Sequence, residues 1–587
     1  MKHIKEDNQI KKLLISLVPV QAIAVGLPAI NTLLNGFVAG HYFGPSGLAA
    51  IGFAGPLTYL FSMISSTLAI GSQVKSGHQI GCGDQDGLSH TFSTTCISAL
   101  VVGLVISGLL MIFRNAVSIM LGTSDELMEM TRNYLFGLAP GVFFSIIFSV
   151  LLSFLQLERA EKTATAAIVV QLVVNTGLNF VNVYILHWDL FGVALSTTAA
   201  NLAAVLICLI YFVCRESVFC FSLRRFDLKA IKEVLYLGFP SALEPACYFI
   251  RDRILNQVVF ALGGTTAMAA MSIVSNFNNG IGTMISGGFT GASNLISSVL
   301  VGERDVDSLR SFPKIIIKTM FPVIAGAYIL LFVFARPLAL FFGAEPEMIG
   351  LYVMVIRCNS LWYLTDSLKV PSFSVYQSLG RIKETSIFTI LMALMVPVTV
   401  ILAGKVLGFG FLVHFSWIAE AGLVAAYVIY YYMKRRKLPS SIYTMTDIPH
   451  TMAVPSEDRC SATIKKIKDA TDASEKMEAF CISKGLSSKT ATMCGLCVEE
   501  IAVDCIIHGF TKEKADSYSI ELRAFYENGG ISMMLRNNCP HFDPKEWLSV
   551  FGDKNPERSM GLHLAMECAK KMNYSSALGM NVITIKM

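Results

Sequence analysis

A run of about 20 mostly apolar residues is long enough to cross a lipid bilayer as a helix, and this chain repeats such runs along most of its length. They lie near 12–34, 47–71, 91–113, 133–155, 165–187 and 191–213, then near 236–262, 266–299, 314–334, 348–378, 386–406 and 410–432. The pattern predicts an α-helical polytopic membrane protein of about twelve spans. Hydrophobic residues make up 53% of the chain and charged residues 15%, well below the quarter or so usual in soluble proteins. Charge is sparse before Lys434 and dense after it, so the chain divides into a membrane body (1–437), a linker (438–460) and a polar domain (461–587).

The two sets of spans match at an offset of about 220 residues, the sign of an internal duplication. Pro19 falls opposite Pro240 and Asn35 opposite Asn256, FGPSGLAAI from Phe43 matches LGGTTAMAAM from Leu262, and LGTSDELM from Leu121 matches FGAEPEMI from Phe342. SFLQLERAEKT from Ser153 matches SVYQSLGRIKET from Ser374, pairing Gln156 with Gln377. Six is an even number, so the repeats (about 10–215 and 230–435) enter the membrane from the same side and are parallel. Transporters place substrate between such halves.

Basic residues set the orientation. Loops on the side of both termini carry Lys75, Arg159, Lys162, Arg224, Arg225, Lys229, Lys232, Arg304, Lys314, Lys318, Arg381 and Lys383, whereas the opposite loops carry little beyond Arg114, Arg132, Arg336 and Lys405. The positive-inside rule makes both termini cytoplasmic. The charged N terminus runs directly into the first span and reads as retained. Basic residues flank spans instead of forming a stripe, which argues against nucleic acid.

A charge in a span normally faces protein or water. Glu244, Arg251, Asp252 and Arg253 fall in the seventh span, Arg357, Asp366 and Lys369 in the tenth, and His414 and Glu420 in the twelfth. Asp366 and Lys369, three residues apart, can neutralise each other on one helix face or line a cavity. Asn175, Asn179 and Asn182 recur in the fifth span and Asn276, Asn278 and Asn279 in the eighth, where amides serve as interhelical glue or as ligands. Candidate cavity residues are thus Asn35, Asn175, Asn179, Glu244, Asp252, Asn256 and Asp366.

With the stretch NTLLNGFVAGHYFGPSGLAAIG, the two acidic helix starts after LG or FG, and Gln156 and Gln377, residues 10–435 resemble the multidrug and toxic compound extrusion (MATE) family. The resemblance implies two six-helix bundles around a central cavity, exporting amphipathic small molecules against a Na⁺ or H⁺ gradient. The family's first-span aspartate, five residues before a glycine, is Asn35 before Gly40 here, and its fifth-span Asn-x-x-x-Asp is Asn175 with Asn179. An amide cannot exchange a proton, so ion coupling would fall to Asp252, Glu244 or Asp366 in the second half, or the driving force is a different one.

Beyond the linker, YSIELRAFYE and GISMMLRN alternate as strands do, with helices between, enough for one α/β domain. Cys494 and Cys497 form a CxxC without a second pair or a His at ligand spacing, and read as helix packing. The helix MCGLCVEEIAVDCIIHGF sets Glu500, Asp504 and His508 at i, i+4 and i+8, one polar line along an apolar helix. This domain resembles the GHKL ATPase domains of anti-sigma-factor kinases, an α/β sandwich. There a Glu four residues before an Mg²⁺-binding Asn is the general base, so the resemblance implies a catalytic Glu500, Mg²⁺ on Asp504 and nucleotide contacts at His508, Asn537 and Gly561. Asp504 replaces the family's Asn, and Cys539 and His541 stand where glycines usually do. No G-x-x-x-x-G-K-[ST] phosphate loop occurs.

Three readings follow: an exporter in the bacterial inner membrane with a cytoplasmic nucleotide-sensing or regulatory domain, a membrane signalling protein with a transporter-like sensor and a protein partner for its tail, or a flippase of lipid-linked substrates. Beyond ATP and Mg²⁺ in the tail, no cofactor is expected.

Overall fold

The computed structural model describes residues 3–438 except 83, 122–124, 159, 216, 278–281, 342–348 and 408–413, and residues 454–587 except 511–517, 528, 540–562, 564–565, 568 and 578–579. A backbone in lipid must satisfy its own polar groups, which a helix does within one segment. The first half accordingly forms α1 (His3–Tyr42), α2 (Gly44–Cys82), α3 (Gln85–Ile112), α4 (Arg114–Met120), α5 (Asp125–Leu157), α6 (Glu161–Val181) and α7 (Asp189–Cys214). The second forms α8 (Leu228–Phe277), α9 (Thr283–Gly302), α10 (Val306–Val333), α11 (Ala335–Phe341), α12 (Ile349–Asn359), α13 (Trp362–Ser378), α14 (Ile382–Leu407) and α15 (Phe415–Arg435). Seven helical segments among the described residues are long and apolar enough to cross a membrane. Val101, Leu104 and Ile112 on α3, Val213 on α7 and Leu330 on α10 are each more than half exposed. A band of large apolar side chains facing outward on several helices is suited to lipid.

The repeat extends to the short helices: α4 and α11 follow α3 and α10 at equivalent places. Two differences from the sequence reading appear. The tenth run is two helices, broken at Ser360 and Leu361. The turn expected near 262–266 is absent, because α8 continues to Phe277. In the first copy Pro45 sits in the opening turn of α2, where its missing N–H costs nothing; LGGTTAMAAM has no proline to interrupt the helix.

The lobes meet through glycines. A Cβ on Gly71 of α2 would lie 2.0 Å from the Val234 carbonyl oxygen of α8, and one on Gly238 of α8 would lie 2.0 Å from that of Thr67. On the pseudo-equivalent pair, Gly288 of α9 packs against Ala22 of α1. Further along, a Cβ on Gly302 of α9 would meet the His78 carbonyl oxygen of α2 at 2.3 Å.

The polar domain is one antiparallel sheet of β1 (Arg459–Ile464), β2 (Ile520–Glu527), β3 (Gly530–Asn537), β4 (Lys571–Ala577) and β5 (Met580–Lys586), in the order β1-β2-β3-β5-β4. Its first strand begins within the stretch read as linker. Residues 439–453 of that stretch lie outside the described ones. Helices α16 (Ile467–Ser483) and α17 (Ser488–Asp504) cover one face. Side chains alternate across a strand, so Leu522, Met533, Leu535, Ile583 and Ile585 join Met477, Val498 and Ile501 in an apolar core. Cys494 and Cys497 are buried in the same core. The opposite face carries Glu521, Arg523, Met534, Arg536 and Thr584.

Candidate transport site and the polar cluster of the C-terminal domain

In the first lobe the predicted amides converge. Asn179 Nδ2 donates to Asn35 Oδ1 at 2.8 Å and to Asn175 Oδ1 at 3.2 Å. Asn175 Nδ2 donates to Asn35 Oδ1 at 3.2 Å and to Asn31 Oδ1 at 2.5 Å, and Asn35 Nδ2 donates to Thr197 Oγ1 at 3.1 Å. Asn35, Asn175 and Asn179 are all buried. The i, i+4 spacing of Asn175 and Asn179 puts both on the face of α6 that meets α1. Asn179 Oδ1 has no hydrogen-bond partner among the described residues. This is a neutral, oxygen-lined cluster. Asn182 serves local structure: its Oδ1 accepts from Trp188 N at 3.0 Å and its Nδ2 donates to Asp189 O at 3.0 Å, closing the turn between α6 and α7.

The second lobe is charged where the first is neutral. Tyr248 Oη donates to Glu244 Oε1 at 2.8 Å, one turn apart on α8, and the Arg251 guanidinium lies over the Tyr248 ring at 4.4 Å. Lys369 of α13 reaches Glu420 of α15 at 3.2 Å, with both side chains largely buried, and also points a donor at Met392 Sδ at 3.3 Å. The side chains of Asp252, Asn256 and Asp366 lie outside the described residues. Lys369 therefore has an interhelical anion that its neighbours in sequence did not reveal. The carboxylate and the ammonium neutralise each other between α13 and α15, which is what allows both to be largely buried.

In the C-terminal domain α17 gives way at Cys505 to a π-turn, Cys505–Gly509. A π-turn advances more residues per turn than an α-helix, so His508 leaves the expected polar line: Asp504 is buried, Glu500 half-buried and His508 exposed. Burial first, and then the nearby Glu500 carboxylate, push the Asp504 carboxyl up to about 6. Asp504 Oδ2 has no hydrogen-bond partner among the described residues. Asn537 sits at the end of β3 beside this turn, its Oδ1 accepting from Asn581 Nδ2 at 2.9 Å and Cys539 Sγ at 2.7 Å. Its Nδ2 faces Cys505 Sγ at 3.7 Å. Gly561 lies outside the described residues. A hard cation suits the orphan oxygen of Asp504 with Glu500 one helical turn away, whereas an adenine edge would compete with Asn581 for Asn537.

The family model described as MatE matches residues 22–181 and 240–402, together more than half of the chain, with one match in each lobe. The chain belongs to the MatE family. Its relatives include the multidrug export protein MepA of Staphylococcus saprophyticus, 21% identical over 70% of this chain and 91% of that protein. The probable multidrug resistance protein NorM of Photorhabdus laumondii is 24% identical over 61% of this chain and 80% of its own. A MATE transporter solved in an outward-facing conformation superposes with a TM-score of 0.67 at 21% identity, covering 75% of this chain and 97% of that one. A superfamily transporter from Pyrococcus furiosus, described as having a binding pocket of reversed polarity, gives 0.66 at 22% identity, over 75% and 97%. These likenesses establish the MatE fold of a multi-pass membrane transporter. The matched family segments end at 402, short of the sheet domain.

Within the MatE body the structure brings together Asn35, Asn175 and Asn179, which the sequence named, adds Asn31 and Thr197 to them, and pairs Lys369 with Glu420. Asn31 was legible in principle, one helical turn before Asn35.

Proposed function

We propose that this chain is an ion-coupled exporter of amphipathic small molecules of about twelve spans, in which the second lobe carries coupling. The observation behind this is the asymmetry of the lobes: a hydrogen-bonded amide cluster in the first, and Glu244, Lys369 and Glu420 in the second. A carboxylate can release a cationic substrate when it takes a proton or sodium ion, and an amide cannot. Names of relatives that export drugs support the substrate class. Basic-loop asymmetry supports cytoplasmic termini in this reading.

The sheet domain is a GHKL-like regulatory module in this reading. Asp504 would hold Mg²⁺ with Glu500 one helical turn away as the base, and Asn537 and His508 would contact nucleotide; the contact expected at Gly561 falls outside the described residues. Magnesium supplies charge neutralisation at the phosphates. Because Asn537 already has Asn581, Cys539 and Cys505 as partners, nucleotide binds weakly.

Purified full-length protein in proteoliposomes tests both parts. Efflux of a fluorescent amphipathic cation is expected to follow an imposed Na⁺ or proton gradient, and Glu244→Gln to abolish the gradient response while Asn35→Ala keeps it. Flux indifferent to every gradient would sink the coupling assignment. Calorimetry with ATP, with and without Mg²⁺, on wild type and Asp504→Ala tests the module, and tight Mg²⁺-independent binding would remove Asp504 from its role.

A further inference from the structure

The outer face of the C-terminal sheet is not open to water. Glu521, Met534, Arg536 and Thr584 are 6, 7, 4 and 6% exposed although they point away from the domain's own core. What covers them is the turn between α9 and α10. Arg536 NH1 donates to Glu303 Oε2 at 2.6 Å and lies 3.8 Å from Asp305 Oδ2. Arg523 pairs with Asp305, and Glu521 lies between the two arginines, accepting from Arg536 Nε at 3.1 Å. Glu303 is 1% and Asp305 6% exposed. Asp305 also caps α10, its Oδ1 accepting from Ser308 N at 3.1 Å, so its carboxylate is fixed by the transporter before the domain arrives. On the rim, Arg304 donates to both oxygens of Glu527 at 2.6 and 2.8 Å.

The same sheet touches the other lobe. Gln85, the first residue of α3, donates its side-chain amide to the Tyr574 carbonyl of β4. The two attachment points flank the crossing of α2 and α9, where Gly81 and Gly302 are in contact and Cys82 Sγ donates to Gly302 O at 3.2 Å. A cavity of about 300 Å³ remains between this crossing and β2, β3 and β5, so the attachment is carried by ionic and polar contacts and not by close apolar packing.

We infer that the sheet domain is a latch holding the two lobes closed at its end of the bundle, and that its undocking permits that end to open. The reasoning is geometric. Tyr574 and Arg536 belong to one hydrogen-bonded sheet through β5, so their separation is fixed. Gln85 and Glu303 belong to different lobes. If the ends of α2 and α9 part, both attachments cannot persist. Docking and closure are therefore linked, and the linkage is reciprocal: whatever favours the undocked domain favours opening, and the reverse. This deepens the regulatory reading above, while its test needs neither substrate nor nucleotide.

The test is the distance between positions 86 and 310, exposed sites on α3 and α10, measured by pulsed dipolar spectroscopy in the full chain with labels on unnatural amino acids. Wild type is expected to show a dominant short population and a minor longer one. The Arg523→Gln, Arg536→Gln pair, and separately a chain ending at Leu438, are each expected to raise the longer population at least threefold, while Lys468→Ala, exposed on α16 at the opposite face of the sheet, leaves the distribution as it was. A domain that misfolds is also released, so the truncated chain guards against that explanation. An unchanged short distance in the truncated chain overturns the latch, and opening on truncation but not in the arginine pair overturns its ionic basis.

Discussion

Gln73 donates to Gln156 at 3.2 Å in the first lobe, and Asn294 donates to Gln377 at 3.3 Å in the second, each pair 83 residues apart in sequence. Duplication has thus kept a specific buried hydrogen bond, between α2 and α5 in one lobe and α9 and α13 in the other. Gln377 does more than its counterpart, since its Nε2 also donates to Ser241 Oγ at 2.9 Å and to Leu237 O at 3.3 Å, both on α8. Gln377→Ala is therefore expected to cost about 2–3 kcal/mol and Gln156→Ala about 1 kcal/mol, since each orphaned buried partner carries a desolvation penalty. Thermal unfolding of the two variants in detergent checks the ranking, and equal losses would refute it.

Carboxylates reintroduced into the amide cluster are expected to be poorly tolerated at neutral pH. Asn179 donates to the oxygens of Asn35 and Asn175, so Asn179→Asp would face acceptors with an acceptor. Only its protonated form can donate. The variant is expected to lose roughly 1–3 kcal/mol at neutral pH and to recover part of it on acidification. Melting temperature against pH, compared with Asn179→Ala, decides the matter.

The crossing of α2 and α8 leaves no room for a methyl group. Gly71→Ala sets a Cβ against the Val234 carbonyl, and backbone yields less readily than side chain. A cost of about 1–3 kcal/mol is expected, together with a shift toward conformations in which the two helices separate. Gly177→Ala, where nothing lies within 4 Å, is the control and is expected to be neutral or mildly stabilising.

Asp504 gives the sheet domain a pH signature. Its carboxyl is raised to about 6 by burial and by Glu500, against an ordinary value near 4 in the unfolded chain. Between those values the native domain holds a proton that the unfolded chain releases, so this contribution is full below about pH 4 and is lost as pH rises through about 6. Asp504→Asn is expected to flatten that slope and to be more stable than wild type above pH 6 by roughly 1–2 kcal/mol. Hydrogen-exchange protection of α17 in the full chain reports it. A wild-type slope of opposite sign would show that Asp504 is not the group responsible.

The helices, the duplication and the amide cluster were legible because each is written in local periodicity or at a constant offset. The ion cluster was not legible. Arg536 is 233 residues from Glu303, and nothing in the string GERDVD marks its acids as buried. One signal was available: Glu521 and Arg523 alternate with Ile520, Leu522 and Ala524 like the solvent face of a strand, and only the structure shows that face to be covered. The uninterrupted α8 failed to match expectation for a different reason, since repeat copies can diverge at a turn while their flanking helices remain alike.

The outer face of the sheet bears arginine and glutamate where an obligate apolar interface would bear leucine and valine. During synthesis the membrane helices emerge and insert before this domain is complete, and until it docks its outer face meets only water. A face of this kind, with the apolar Met534 set among Glu521, Arg523, Arg536 and Thr584, exposes little sticky surface while it waits. The order of assembly is therefore forgiving: insertion can finish late, or the domain can fold early, without either partner aggregating in the interval.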